Sequence, residues 1–220
     1  MNSKMTVLDV FTPEECASIT EEVFKLTPYL LDRGHFWTLG ASAYLDDPLK
    51  YPAMANAFNL VLAQAFGKLY TRVYDAITAH LGQPIVGFKF GLAVPGFHVF
   101  DHTSNGHQGL PHIDEPYTRV DFTDLKWHTP FSFTLPVCIP TAGAGADFWF
   151  NAPHDCIERY AVNYSVPEPE FIPYELGRLY IHDGHTPHKI ASVAPIPEGE
   201  NRVTLQGHGV HTDDGVLLYF

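Results

Sequence analysis

A chain of 220 residues is long enough to bury its own core, and a composition 45% hydrophobic and only 17% charged excludes a disordered or low-complexity polypeptide. Its 25 acidic against 13 basic residues give a net charge of -12 with no lysine or arginine cluster, which argues against nucleic acid and anionic membrane as partners. No apolar run approaches the roughly 20 residues that cross a bilayer, and Asp9 falls where a secretory leader needs an apolar centre, so one cytoplasmic domain over residues 1–220 is expected.

Thr12-Pro13-Glu14-Glu15 combines a capping hydroxyl, proline at the first helical position and glutamate three residues after the cap, so a helix is predicted to start there. Cys16, Ile19, Val23 and Leu26 extend it as one apolar stripe that Pro28 ends. Residues 52–81 repeat the pattern through Phe58, Leu62, Phe66, Leu69, Val73 and Ile77, with Gly67 marking a bend and Gly82 and Pro84 closing the helix. From residue 85 the texture changes to short alternating runs punctuated by glycine and proline. Strands are predicted over 85–94, 98–102, 109–113, 131–139, 146–151, 178–182, 189–193, 203–210 and 215–219. Residues 103–109 and 120–128 are expected as loops. Helical support in 1–84 followed by short strands in 85–220 predicts a mainly β jelly-roll barrel with helices on one outer sheet.

Cys16, Cys138 and Cys156 share no short metal-type spacing and read as buried thiols. Histidine is the unusual residue, with 13 copies, and imidazole is a common ligand for iron, copper and zinc. In Leu110-Pro111-His112-Ile113-Asp114-Glu115 an extended backbone sets His112 and Asp114 on one side, able to chelate a metal together. Such a pair is common by chance and gains weight only from partners elsewhere. His182, His185 and His188 follow at three-residue steps. Any of them completes two imidazoles and one carboxylate on one face of an octahedron, leaving three open positions, whereas a structural zinc site is closed by four protein ligands. His188 alone leads an apolar strand; His185 falls in a turn with Gly184 and Pro187, and His182 faces the other layer or supports the site from behind. Arg202 and Thr204 follow about one strand after His188, two residues apart.

Together, the His112-x-Asp114 pair, His188-Lys189-Ile190 and Arg202-Val203-Thr204 resemble the Fe(II)/2-oxoglutarate-dependent dioxygenase superfamily, over about residues 95–209. The resemblance implies a double-stranded β-helix, with His112, Asp114 and His188 as iron ligands at the catalytic centre. It implies Arg202 as anchor for the distal carboxylate of 2-oxoglutarate, assisted by Thr204, with Fe(II), 2-oxoglutarate and O2 as cofactor and co-substrates. Halogenating members lack the ligand carboxylate that Asp114 retains, and nucleic-acid-demethylating members keep a second arginine where His208 stands. The expected activity is hydroxylation of an unactivated carbon in a small molecule: an amino acid, a short peptide or a natural-product intermediate. Two other functions fit the same residues. One is a triad iron oxidase that does not use 2-oxoglutarate, with Arg202 and Thr204 on a substrate carboxylate; the other is a non-catalytic metal-binding jelly-roll protein. Glu115, Tyr117 and Asp183 flank the ligands as candidate substrate contacts, while Trp127, His128, Phe148, Trp149 and the run 97–102 read as packing.

Overall fold

A first strand, β1 (Met5–Asp9), leads into α1 (Pro13–Lys25), whose start is fixed by the expected reciprocal cap. Thr12 Oγ1 accepts from the Glu15 N–H at 3.3 Å, and the Glu15 carboxylate accepts from the Thr12 N–H at 2.9 Å. The same carboxylate receives Arg72 of the second helix, α2 (Tyr51–Leu81), which also donates to the Val10 carbonyl. α2 leaves helical geometry at Phe66 (φ -120°, ψ 20°), beside the glycine where a bend is predicted, and Gly82 ends it in the left-handed region at φ 65°. The structure, a computed structural model, describes residues 5–86, 91–106, 109–122, 125–150, 167–191 and 194–220. Parts of the predicted strands 85–94, 146–151 and 189–193, parts of the loops 103–109 and 120–128, and Cys156 lie outside the described residues.

The remaining strands are β2 (Leu31–Asp32), β3 (Trp37–Leu39), β4 (Gly96–Phe100), β5 (Trp127–Cys138), β6 (Gly145–Phe148), β7 (Glu170–Pro173), β8 (Arg178–His182), β9 (His188–Ile190), β10 (Arg202–Thr212) and β11 (Gly215–Tyr219). They build a large antiparallel sheet in the order β1-β8-β5-β10-β4-β3-β2, with β11 on β10, and a small sheet β7-β6-β9. This is the predicted jelly roll. The strands β2, β3 and β7 have no counterpart among the predicted ones: at two to four residues each, they are too short for alternation to register, and partner strands define them. The predicted strand 109–113 reduces to one bridge between His112 and His188, and Ile85 makes one bridge to Val216.

Residues 91–94, predicted as the end of a strand, and Pro95 after them are instead held by α2. Asn59 accepts from the Val94 N–H and donates to the Leu92 carbonyl, each at 2.8 Å. The Tyr51 hydroxyl accepts from the Ala93 N–H at 3.0 Å, and the Tyr70 hydroxyl donates to the Pro95 carbonyl at 2.7 Å. The helix thereby sets the point where β4 begins.

Side chains alternate through the large sheet. Phe97 and Val99 of β4, Phe131, Phe133, Leu135 and Val137 of β5, Leu179 and Ile181 of β8, and Val203 and Leu205 of β10 form one core with Val23 of α1 and Leu62, Leu69, Val73 and Ile77 of α2. Burial of each large apolar side chain stabilises by roughly 1.5–3 kcal/mol, so this face carries the fold. Their even-numbered neighbours, including His98, Ser132, His182, Arg202 and His208, line a cavity of about 900 Å³ that the small sheet closes from the other side. Among the described residues no helix is long and apolar enough to cross a membrane.

Candidate metal centre

The main chain brings two distant segments together before any side chain is considered. The His112 N–H donates to the His188 carbonyl and the His188 N–H to the His112 carbonyl, both at 2.9 Å, while the Asp114 N–H donates to the Gly184 carbonyl at 2.8 Å. Gly184 sits at φ +74°, where a side chain is strained, and a Cβ there would meet Ser132 Oγ at 3.2 Å and Asp114 Cβ at 3.7 Å. Asp183 Oδ1 accepts from the Thr186 N–H at 2.7 Å and shapes the turn into β9. Ligand atoms of His112, Asp114 and His188 consequently lie within 4.8 Å of one another. His188 Nε2 is 3.4 Å from Asp114 Oδ2, and His112 Nε2 is 3.8 Å from Asp114 Oδ1.

Both imidazoles are oriented by carbonyl groups. His112 Nδ1 donates to the Leu110 carbonyl and His188 Nδ1 to the Thr186 carbonyl, each at 2.8 Å. A carbonyl only accepts, so each Nδ1 carries a proton and each ring turns its Nε2 toward the same point. Burial pushes the His188 pKa down, against the pull of Asp114. Burial alone would raise Asp114, but His188, His208, His182 and His112 around it hold its carboxyl well below the usual carboxylate range. The cluster is therefore one carboxylate between two imidazoles, a donor set that suits a divalent transition metal. Side-chain exposure of 51% for His112 against 12% for His188 and 16% for Asp114 puts His112 on the open rim.

The histidine ladder is sorted by contacts. His185 turns to Tyr117, Nε2 to hydroxyl 3.0 Å, outside the cluster. His182 sits edge-on to His188 with ring centres 4.7 Å apart, its Nδ1 accepting from the Gly184 N–H at 3.2 Å, so it supports the site from behind. Burial and the neighbouring His188 push it down to about 3, which keeps it neutral. Phe148, expected as packing, stacks on His188 at 5.3 Å and 20°. Of the flanking candidates, Glu115 borders the cavity, whereas Tyr117 and Asp183 serve local structure.

Arg202 is buried in the same cavity, its Cζ 5.5 Å from the Phe100 ring and 5.4 Å from that of Tyr174. Its Nε has no hydrogen-bond partner, and among the described residues no carboxylate is paired with it. Burial pushes its pKa down, opposed by Tyr174. A guanidinium in that setting could hold an anion, because an unpaired buried charge is costly. Thr204 is fully buried on the same strand, its hydroxyl accepting from the Gln206 amide at 3.3 Å.

Several cavity residues escaped sequence reasoning. Gln206 and His208 stand at even offsets from Arg202 along β10, a signal that two-residue periodicity contains; His208 Nδ1 is 2.9 Å from Ser132 Oγ. His98, in the alternating run read chiefly as packing, lines the cavity from β4, and Tyr44 reaches it from the segment between β3 and α2, a placement with no local signal.

No family model matches the sequence, and no curated protein does. Solved structures match: the N-substituted L-amino acid dioxygenase from Burkholderia ambifaria AMMD superposes with a TM-score of 0.61 at 15% identity, covering 99% of this chain and 86% of that one. The fold is that of the 2-oxoglutarate–iron oxygenases. The alpha-ketoglutarate-dependent epimerase SnoN from nogalamycin biosynthesis shares this oxygenase fold, with a TM-score of 0.57, 12% identity and coverage of 93% and 76%. HygX from Streptomyces hygroscopicus, solved with nickel, 2-oxoglutarate and hygromycin B, gives 0.55, 13%, and 93% and 82%. In this chain the His-Asp-His cluster and Arg202 border one cavity between the two sheets.

Proposed function

We propose that this chain, as a single domain, is an Fe(II)- and 2-oxoglutarate-dependent oxygenase that hydroxylates an unactivated carbon of a small molecule. The observation that carries this reading is the presence, in one cavity, of an open three-ligand cluster and a buried arginine that no described carboxylate neutralises. Two imidazole nitrogens and one carboxylate leave three octahedral positions for other ligands, as a bidentate oxo-acid and O2 require. When bound, iron and 2-oxoglutarate supply the oxidant: O2 is reduced, the oxo-acid leaves as succinate and CO2, and one oxygen atom goes to the substrate.

The protein's own residues position and desolvate. His112 and His188 hold their Nε2 atoms on target through the carbonyls of Leu110 and Thr186, and Asp114 supplies the anionic ligand. Arg202 takes the distal carboxylate of 2-oxoglutarate, with Phe100 and Tyr174 beside the guanidinium excluding water and strengthening the ion pair. Thr204 is the hydroxyl assigned to that carboxylate site. The exposed rim at His112 leaves the cluster open on the side from which substrate arrives. A small organic substrate is supported by the cavity's size and by structural neighbours that include an amino acid dioxygenase and a protein solved with hygromycin B.

Anaerobic reconstitution with Fe(II) followed by titration of 2-oxoglutarate tests the reading through the weak visible charge-transfer band of the chelated oxo-acid. The band is expected in the wild type. Arg202→Ala is expected to need roughly 30- to 1,000-fold more co-substrate, equivalent to about 2–4 kcal/mol for a lost desolvated ionic contact. An unchanged requirement in the variant removes Arg202 from the anchor role. No band despite bound iron rejects 2-oxoglutarate and leaves the oxidase that places Arg202 on a substrate carboxylate, or the non-catalytic metal-binding protein.

A further inference from the structure

The cavity wall on β4 holds a second buried polar group with an unmet hydrogen bond. His98 is only 5% exposed; its Nε2 is hydrogen-bonded to the Tyr44 hydroxyl at 2.9 Å, and its Nδ1 has no partner. Phe36 and Phe220 lie 5.0 Å and 5.4 Å from its ring, and Phe36 stacks on Phe100 at 5.0 Å and 15°. The nearby cation Arg33 is committed to Asp46 by two hydrogen bonds of 2.7 Å and 3.2 Å. Burial, seconded by Arg202 and His208, pushes the His98 pKa down to about 3, so the imidazole is neutral near pH 7.

A neutral imidazole with one nitrogen engaged by a phenol has one hydrogen bond left to make. A hydroxyl or carbonyl oxygen meets it without bringing a charge into an apolar wall. An ionic group placed there loses its hydration, while Arg33 is already paired with Asp46 and Arg202 is committed to the co-substrate on the proposed reading. The cavity of about 900 Å³ lies near the upper end of the roughly 300–1,000 Å³ typical of sites for drug-sized ligands, more than a five-carbon diacid occupies.

We infer that His98, positioned by Tyr44, is the specificity-determining contact of the substrate half of the cavity. It takes a hydroxyl or carbonyl oxygen of a neutral, ring-bearing molecule whose apolar edge lies beside Phe36 and Phe100. The inference rests on the oxygenase reading, which commits Arg202 to 2-oxoglutarate and leaves this wall to the substrate.

The test is ligand-observed NMR on the full chain loaded with Zn(II), which is diamagnetic and inert to oxygen, and saturated with 2-oxoglutarate. Three matched probes are used: phenyl β-glucoside (neutral), phenyl β-glucuronide (anionic) and phenyl β-glucosaminide (cationic). The neutral probe is expected to bind the wild type at least about tenfold more tightly than either charged one, and His98→Phe to weaken it about tenfold, the scale of one buried hydrogen bond. His98→Gln, which keeps a hydrogen-bonding side chain, is expected to restore most of that loss. Tyr44→Phe removes a single oxygen and is expected to weaken the neutral probe about threefold, which keeps the test available should His98→Phe misfold. The anaerobic 2-oxoglutarate band runs in parallel on all of these proteins and is expected to be unchanged. Preference for a charged probe, no binding of the neutral probe to the wild type, or wild-type binding by both His98→Phe and Tyr44→Phe overturns the inference. So does loss of the band in His98→Phe with probe binding intact, which would assign His98 to the co-substrate. Absence of the band from the wild type instead rejects the oxygenase reading itself.

Discussion

Odd and even positions along β10 meet opposite surroundings. Val203 and Leu205 are fully buried in the core beneath the helices, and at Gly207 and Gly209 a Cβ would lie 2.5 Å from the Phe133 ring and 2.2 Å from that of Phe131. The odd face is filled to the point where two glycines make room for rings of the neighbouring strand. Across the same backbone, Arg202, Gln206 and His208 border the cavity; Arg202 and, on β4, His98 each keep a buried nitrogen without a partner. Unsatisfied buried polar atoms destabilise, so the even face is held in place by the energy of the odd one. One strand thereby separates stability from chemistry by a single residue of register.

The sharpest way to break that comparison is to remove a ligand. Asp114→Ala is expected to take succinate formation below detection and to abolish stoichiometric iron binding, while the unfolding free energy of the metal-free protein in urea stays within about 1 kcal/mol of wild type. A variant that unfolds instead would mean that the cavity side carries the fold after all. Leu205→Ala acts on the opposite face and is expected to lower unfolding free energy by about 2–5 kcal/mol through the cavity it leaves. The 2-oxoglutarate affinity of its folded fraction should match wild type; a weakened affinity would show that the two faces are coupled. Gly184→Ala is the smallest change, forcing a Cβ onto a left-handed backbone next to Ser132 and Asp114. It is expected to cost about 1–2 kcal/mol in stability and to weaken iron binding severalfold in a competitive chelator titration, since the Gly184 carbonyl holds the Asp114 N–H.

What was legible in the sequence depended on how local its cause is. The cap at Thr12 and the bend beside Gly67 follow from a few consecutive residues and appear where expected. His112 and Asp114 are legible because two-residue spacing puts their side chains on one side, and His188 because it leads a short apolar strand. The ladder His182, His185, His188 could not be resolved from spacing alone. Its answer depends on the Tyr117 hydroxyl, 68 positions away from His185, and on a main-chain bridge between residues 112 and 188. The strands β2, β3 and β7 were missed for the same reason: their hydrogen-bond partners, and not their own alternation, make them strands. Residues 91–94 looked like a strand because they are apolar, yet their backbone and that of Pro95 are bonded by Tyr51, Asn59 and Tyr70 of the helix. His208 was read only as a missing arginine, although its even offset from Arg202 places it in the same cavity.

The mutual main-chain bridge between His112 and His188 has a consequence for the life history of the protein. Two of the three clustered residues are fastened to each other by backbone hydrogen bonds across 76 positions of sequence, so the complete cluster exists only after β9 has been made and has closed onto the segment around His112. On the proposed reading the metal is thus a late arrival, bound after these distant segments have closed, and not a nucleus around which the chain organises.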